Sequence, residues 1–124
     1  MLTWDDEAGQ QNHRELDIEV SRWGNPASLN AQFVVQPYYV AANVARFAAP
    51  EGRLTHSLRW EPGRAAFRTI RGTSGPVVTS HEFTAGVPAP GREQVRMNLY
   101  YFRYSSTPLV KDMEVVIERF QYLP

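Results

Sequence analysis

Cysteine is absent from this 124-residue chain, so neither a disulfide framework nor a thiolate metal site is available. Excess charge of one sign is also missing, because thirteen basic and thirteen acidic residues give a formal net charge of zero. No apolar run approaches the length of a membrane span, and the first residues do not follow the pattern of a signal peptide. We therefore expect neither nucleic acid nor a membrane as a partner.

Helix-forming patterns are scarce. The best helical candidate, residues 40–49, is short and is ended by the Pro50-Glu51-Gly52 sequence. Strand patterns are frequent instead, in a chain with three Trp, six Tyr and six Phe residues, which suit strands. The predicted strands are residues 15–21, 31–36, 54–60, 65–71, 77–83, 95–102 and 113–121. Between the third and the fourth, Pro62 and Gly63 predict a hairpin turn.

This succession of short strands, without a repeat or a linker, predicts one all-β domain over residues 1–124. The expected architecture is a β-sandwich or jelly roll of two antiparallel sheets. Two packed sheets usually need more strands than this to cover both inner faces, and a small domain buries a modest fraction of its surface. Two interpretations stay open: the chain is an incomplete sandwich, or a second copy completes its sheets as a homodimer.

The most informative segment is residues 13–21, which read HRELDIEVS. Residues two apart in a strand share a face, so Glu15, Asp17 and Glu19 project together. The aliphatic residues of the segment point to the other side, toward a core: Leu16, Ile18 and Val20. Acidic residues are depleted in strands and repel one another in a row, so this arrangement costs stability and indicates a function.

Glycoside hydrolysis is one chemistry that uses such a row, since a retaining enzyme needs two carboxyl groups about 5–5.5 Å apart. The Cα atoms of Glu15 and Glu19 are about 13 Å apart on a straight strand, so strand curvature and long side chains must bring their carboxyl groups together. Asp17 would help to separate their pKa values. The row is also compatible with a half-exposed, solvated strand face. Metal coordination is less favoured, because no His or further Asp is clustered nearby.

Residues 15–19 resemble the E-x-D-x-E signature of glycoside hydrolase family 16, the laminarinase and lichenase type. The likeness continues in the same order along the chain. Residues 20–26 and 30–36 resemble the segments after the catalytic strand, and residues 56–63 resemble the family's H-x-x-x-W-x-P strand and turn. Residues 97–100, which read MNLY, resemble its M-N-L-W strand, and residues 113–117 its closing strand. Several weak motifs in order are more specific than one.

This resemblance implies a concanavalin-like jelly roll and a retaining endo-glycoside hydrolase that acts on a polysaccharide of the β-glucan or galactan class. It implies Glu15 as nucleophile, Glu19 as general acid/base and Asp17 as the assisting carboxyl group. It implies no cofactor, and it suggests an extracellular or periplasmic location. The chain is shorter than family members, and only residues 2–6 could supply a strand before the acidic one. Where some relatives bind calcium this chain has Val116, so we expect no metal.

Five further residues are candidates for substrate binding: Trp23, Gln36, His56, Asn98 and Tyr100. Trp23 and Tyr100 would stack on sugar rings, although a Trp can equally fill a core or corner. Gln36 and Asn98 would hydrogen-bond hydroxyl groups, or serve backbone groups instead. His56 either reaches the acidic row or is a hydrogen-bonded core histidine.

Two other classes of function compete with the hydrolase. A carbohydrate-binding sandwich, or an inactive fragment of such an enzyme, would keep the sugar contacts without catalysis. An interaction protein would carry the acidic strand only as an exposed edge. The intact set of three acids favours the hydrolase, and the short chain favours the binding module.

Overall fold

The computed structural model describes residues 1–102 and 112–123. Within these residues eight strands form two antiparallel sheets, with short 3₁₀ turns at Gly9–Arg14 and Ala41–Asn43. No helix in this part of the chain is long and apolar enough to cross a membrane. The strands are β1 (Leu2–Trp4), β2 (Leu16–Val20), β3 (Ala31–Val35), β4 (Val44–Phe47), β5 (Leu54–Glu61), β6 (Arg64–Arg71), β7 (Val77–Phe83) and β8 (Gln94–Arg96).

The first sheet has five strands in the order β4-β3-β2-β1-β8, so the acidic strand β2 lies at its centre. Asp17 is paired with Val34 on one side and with Leu2 on the other. Leu2 is the first residue of β1, so the one strand that we expected before the acidic strand is present. A central strand has both edges hydrogen-bonded, which fixes the direction of every side chain on β2.

The second sheet has three strands in the order β5-β6-β7. Glu61 pairs with Arg64, so Pro62 and Gly63 form the two-residue loop that the sequence predicts. Gly63 has a φ of 74°, a left-handed conformation that glycine adopts without a steric penalty. The predicted hairpin and the predicted strand at residues 77–83 are both confirmed.

The two sheets pack face to face through aromatic side chains. Phe33 of β3 stacks on Phe67 of β6 with ring centroids 4.9 Å apart, and both rings are almost fully buried. Phe47 and Phe83 pack beside them, at 4.7 Å from Phe33 and 5.8 Å from Phe67. Leu16 and Ile18 point into this core, as their alternation predicts. The predicted all-β sandwich is therefore confirmed.

Three local predictions are wrong. Residues 40–49 contain a 3₁₀ turn and then β4, because residues 44–47 pair with β3. The strand predicted at residues 95–102 ends at Arg96. Arg96 pairs with Leu2, the first residue of β1, so the residues after Arg96 have no β1 residue to pair with. Residues 112–123 are exposed and have no regular secondary structure. A strand pattern becomes a strand only where a sheet edge accepts its hydrogen bonds.

Val20 also departs from its predicted place. Its side chain is 63% exposed, whereas Leu16 and Ile18 of the same strand face are buried. Val20 is the last residue of β2, and it lies at the rim of the cavity that holds the acidic residues. The core face of β2 therefore ends at Ile18.

Candidate active site

The acidic row stands on the face of the five-stranded sheet that is turned away from the core. Asp17 is buried, and Glu15 and Glu19 are half-buried on either side of it. The carboxyl groups of Glu15 and Asp17 are near enough to share a hydrogen bond when one of them is protonated. The alternation of β2 explains this arrangement, because the residues between the acids are held in the core.

Two glutamines, one on the neighbouring strand β3 and one just after it, hold two of the three carboxyl groups. Gln32 is paired with Glu19 in the β2–β3 register, and its Nε2 donates to Glu19 Oε2 at 2.5 Å. The Nε2 of Gln36 donates to Asp17 Oδ2 at 2.8 Å. These donors are neutral amides, so they orient the carboxyl groups without supplying a positive charge.

Burial raises the pKa of all three acids. The pKa of Asp17 rises from 3.8 to about 8, first through burial and then through the negative charges of Glu15 and Glu19, while the Gln36 amide opposes the rise. Burial also raises the pKa of Glu19, against the hydrogen bond from Gln32. Asp17 therefore keeps its proton at neutral pH.

The pKa of Glu15 is subject to opposing effects. Burial raises its pKa, and the charge of Glu19 adds to the rise. The hydrogen bond with Asp17 acts in the opposite direction, because a protonated Asp17 donates to the ionised form of Glu15. One carboxyl group of the row is thus held neutral so that it can stabilise the negative charge of its neighbour.

An open cavity of about 280 Å³ lies over the row. Its lining includes all three acids and three of the five residues predicted to bind substrate: Trp23, Asn98 and Tyr100. Burial raises the pKa of the Tyr100 hydroxyl, and the negative charges of the three carboxyl groups raise it further. A strand motif and a distant segment therefore meet at one site, although residues 97–102 do not form the expected strand.

Trp23 is held at the Glu19 end of this cavity. Its backbone N–H is bonded to Ser21 Oγ at 3.0 Å, and its φ of 51° is in the left-handed region. The ring of Phe102 meets the Trp23 ring edge to face with centroids 5.2 Å apart. The buried indole Nε1 of Trp23 has no hydrogen-bond partner within the described residues. A ligand oxygen in the cavity could satisfy this donor.

The remaining two predicted binding residues have other partners. Gln36 reaches the row through its hydrogen bond to Asp17, so it positions an acid. His56 lies between the sheets, where its Nδ1 is 2.8 Å from Thr69 Oγ1. Burial lowers the pKa of His56, so the ring is neutral at pH 7. His56 is therefore a half-buried, hydrogen-bonded histidine, and it does not line the cavity over the acidic row.

Sequence reasoning missed two contributors to the site, Gln32 and Phe102. A signal for Gln32 was available, because it shares its strand face with Gln36 on the strand after the acidic one. Phe102 also had a signal, because it follows Asn98 and Tyr100 at intervals of two residues, but its contact with Trp23 joins residues 79 positions apart. Arg14 and Arg22, which flank the acidic strand in the sequence, are bonded to Asp5 and to backbone carbonyl groups.

A metal centre finds no support in the described ranges 1–102 and 112–123, where no group of three or more His, Asp or Glu side chains is arranged to hold an ion. Comparison with family models, with curated proteins and with solved structures gave no match to this chain. The likeness to glycoside hydrolase family 16 consequently rests on the sequence motifs alone.

Proposed function

We propose that this chain is a retaining endo-glycoside hydrolase that acts on a polysaccharide of the β-glucan or galactan class. The observation that carries the proposal is the single cavity in which three carboxyl groups of raised pKa face two aromatic residues, Trp23 and Tyr100. Aromatic rings bind the apolar faces of sugars, and paired carboxyl groups are what glycosidic bond cleavage requires.

The environment of each acid supports a distinct role. Glu15, whose ionised form the hydrogen bond from Asp17 favours, attacks the anomeric carbon and forms the glycosyl-enzyme bond as the glycosidic C–O bond breaks. Glu19, whose raised pKa favours the protonated form, gives its proton to the departing oxygen. The ionised Glu19 then takes a proton from water, whose oxygen attacks the same carbon and releases Glu15. The family resemblance implies the same assignment.

Reducing-sugar release from β-1,3-glucan, β-1,3/1,4-glucan and galactan tests the proposal. We expect the parent protein to release reducing ends from at least one of them, and the Glu15→Gln and Glu19→Gln variants to lose roughly 10³-fold or more in rate. Glu51→Gln removes an exposed carboxylate outside the cavity and should retain full activity. Proton NMR of the first product should show the anomeric configuration of the substrate, as double displacement requires.

Carbohydrate binding without hydrolysis is a second candidate. The cavity volume of about 280 Å³ lies just below the range of about 300–1,000 Å³ that is usual for small-molecule sites. Trp23 and Tyr100 can hold a sugar whether or not the acids react with it. Polysaccharide binding by the parent protein without any release of reducing ends, in protein shown to be folded by circular dichroism, would replace the first candidate with this one.

A further inference from the structure

Two neighbouring tyrosines stand out on the surface just beyond β3. Tyr38 is 67% exposed and Tyr39 is 77% exposed. Their ring centroids are 6.0 Å apart and their planes are inclined by 73°. Large aromatic rings bury much apolar area when a ligand covers them, so an exposed pair of rings indicates a binding surface.

The turn that carries these rings is well connected. The backbone N–H of Tyr38 donates to Gln36 Oε1 at 2.8 Å, and that of Val40 donates to the Pro37 carbonyl at 3.2 Å. The same Pro37 carbonyl accepts from Asn43 Nδ2 at 3.2 Å. The rings therefore project from a hydrogen-bonded turn, which lowers the entropy that a ligand must remove on binding.

A single side chain joins this turn to the acidic row. While Gln36 Oε1 accepts from Tyr38, the Nε2 of the same amide donates to Asp17 Oδ2 at 2.8 Å. The backbone N–H of Gln36 also donates to the Glu15 carbonyl at 3.1 Å. The tyrosine pair is thus fixed next to the Glu15 end of the row.

The opposite end of the row is marked by a different aromatic residue. β3 runs antiparallel to β2, from Ala31 opposite Val20 toward Gln36 beside Glu15. Trp23 lies in the cavity just after the Glu19 end, and the tyrosine pair follows the Glu15 end. The acidic row between them spans about 13 Å of strand. Aromatic residues at both ends suit an extended polymer better than a single sugar.

We propose that Tyr38 and Tyr39 form an aromatic platform that binds a sugar ring of a polysaccharide outside the cavity, beyond Glu15. This inference rests on the proposed function, because it assigns the pair to the same polysaccharide. Ring faces pack against the apolar C–H face of a sugar, and the phenolic hydroxyls offer hydrogen bonds at the rim. The platform would favour long chains over short oligosaccharides.

The experiment compares Tyr38→Ala and Tyr39→Ala with the matching Phe variants, on the polymer and on a short chromogenic glycoside. We expect each Ala variant to lose roughly three- to tenfold in kcat/KM on the polymer and to match the parent on the short substrate. The Phe variants keep the ring and should stay close to the parent. Val77→Ala, which removes an apolar side chain of β7 that is 49% exposed and outside the cavity, serves as the control and should change neither rate.

Equal rates of the Ala variants and the parent on both substrates would overturn the platform and leave the hydrolase in place. An equal loss on both would also overturn it, because it would mean that the turn acts through Gln36 on the acids. Polymer affinity measured in the Glu15→Gln background separates binding from catalysis. If the parent does not hydrolyse the polymer but Tyr38→Ala lowers its affinity for the polymer, the platform is upheld and the hydrolase is rejected. If the parent has no affinity for the polymer, both proposals are rejected.

Discussion

At the scale of single residues, the protonation of Asp17 is the feature with the widest consequences. Asp17 is only 2% exposed, and the negative charges of Glu15 and Glu19 act on its carboxyl group. The cost of burying a charge there is avoided by keeping the carboxyl group neutral. The neutral form then serves Glu15 as a hydrogen-bond donor.

This protonation predicts how stability depends on pH. Asp17 loses its proton near pH 4 in the unfolded chain and near pH 8 in the folded one, so the folded state holds more protons between these values. The free energy of unfolding should therefore fall as pH rises from about 4 to about 8. Asp17→Asn should reduce this fall, and Glu51→Gln should leave it unchanged. Urea denaturation across the pH range measures it, and an equal slope in Asp17→Asn and the parent would contradict the assignment.

At the scale of elements, the segment between β1 and β2 sets the start of the acidic row. Arg14 Nη1 lies 2.7 Å from Asp5 Oδ2, and Asp5 is only 5% exposed. Thr3 Oγ1 donates to the Arg14 carbonyl and accepts from the Leu16 N–H, so β1 holds the chain on both sides of Glu15. Arg14 itself has a φ of 52°, a left-handed conformation that these contacts must stabilise.

Loss of this ion pair should be costly. Arg14→Met leaves the buried Asp5 carboxylate without its cation, and we expect a loss of about 3–5 kcal/mol in the free energy of unfolding. The same substitution at Arg53 removes an exposed ion pair with Glu118 and should cost about 0–1 kcal/mol. Denaturant titration of the two variants makes the comparison. Equal stabilities would show that the buried pair does not hold the segment.

At the scale of the whole molecule, the two sheets are unequal, since three strands face five. Residues 112–123 expose a run of apolar side chains that would suit a strand in a covered sheet: Met113, Val115, Val116, Ile117, Phe120 and Leu123. Such a run, with β-branched residues among its members, favours association with a further strand.

We expect a second copy of the chain to cover this run. Light scattering should give a mass near twice 14.1 kDa at micromolar concentration. Replacing Val115 and Ile117 by Asp should yield the monomer, because charges would then stand in the apolar contact, and Glu114→Gln should keep the dimer. A mass of 14.1 kDa for the parent at every concentration would contradict the dimer and would also weaken the case for a complete catalytic cleft.

Much of the fold and part of the site follow from local patterns. The two-residue period of a strand is enough to place Glu15, Asp17 and Glu19 together and to direct Leu16 and Ile18 into the core. The hairpin at Pro62 and Gly63 follows from turn chemistry, which involves only adjacent residues. These features depend on backbone geometry that each short segment carries with it.

Contacts between distant segments decided the rest. The sequence could not show which acid Gln32 and Gln36 would each hold, that His56 would bond to Thr69, or that Phe102 would meet Trp23. The raised pKa of Asp17 has the same origin, because burial is a property of the packed sheet. The sequence by itself determined which side chains share a face; the tertiary structure decided what each face meets, since strand pairing and burial depend on residues far apart in the chain.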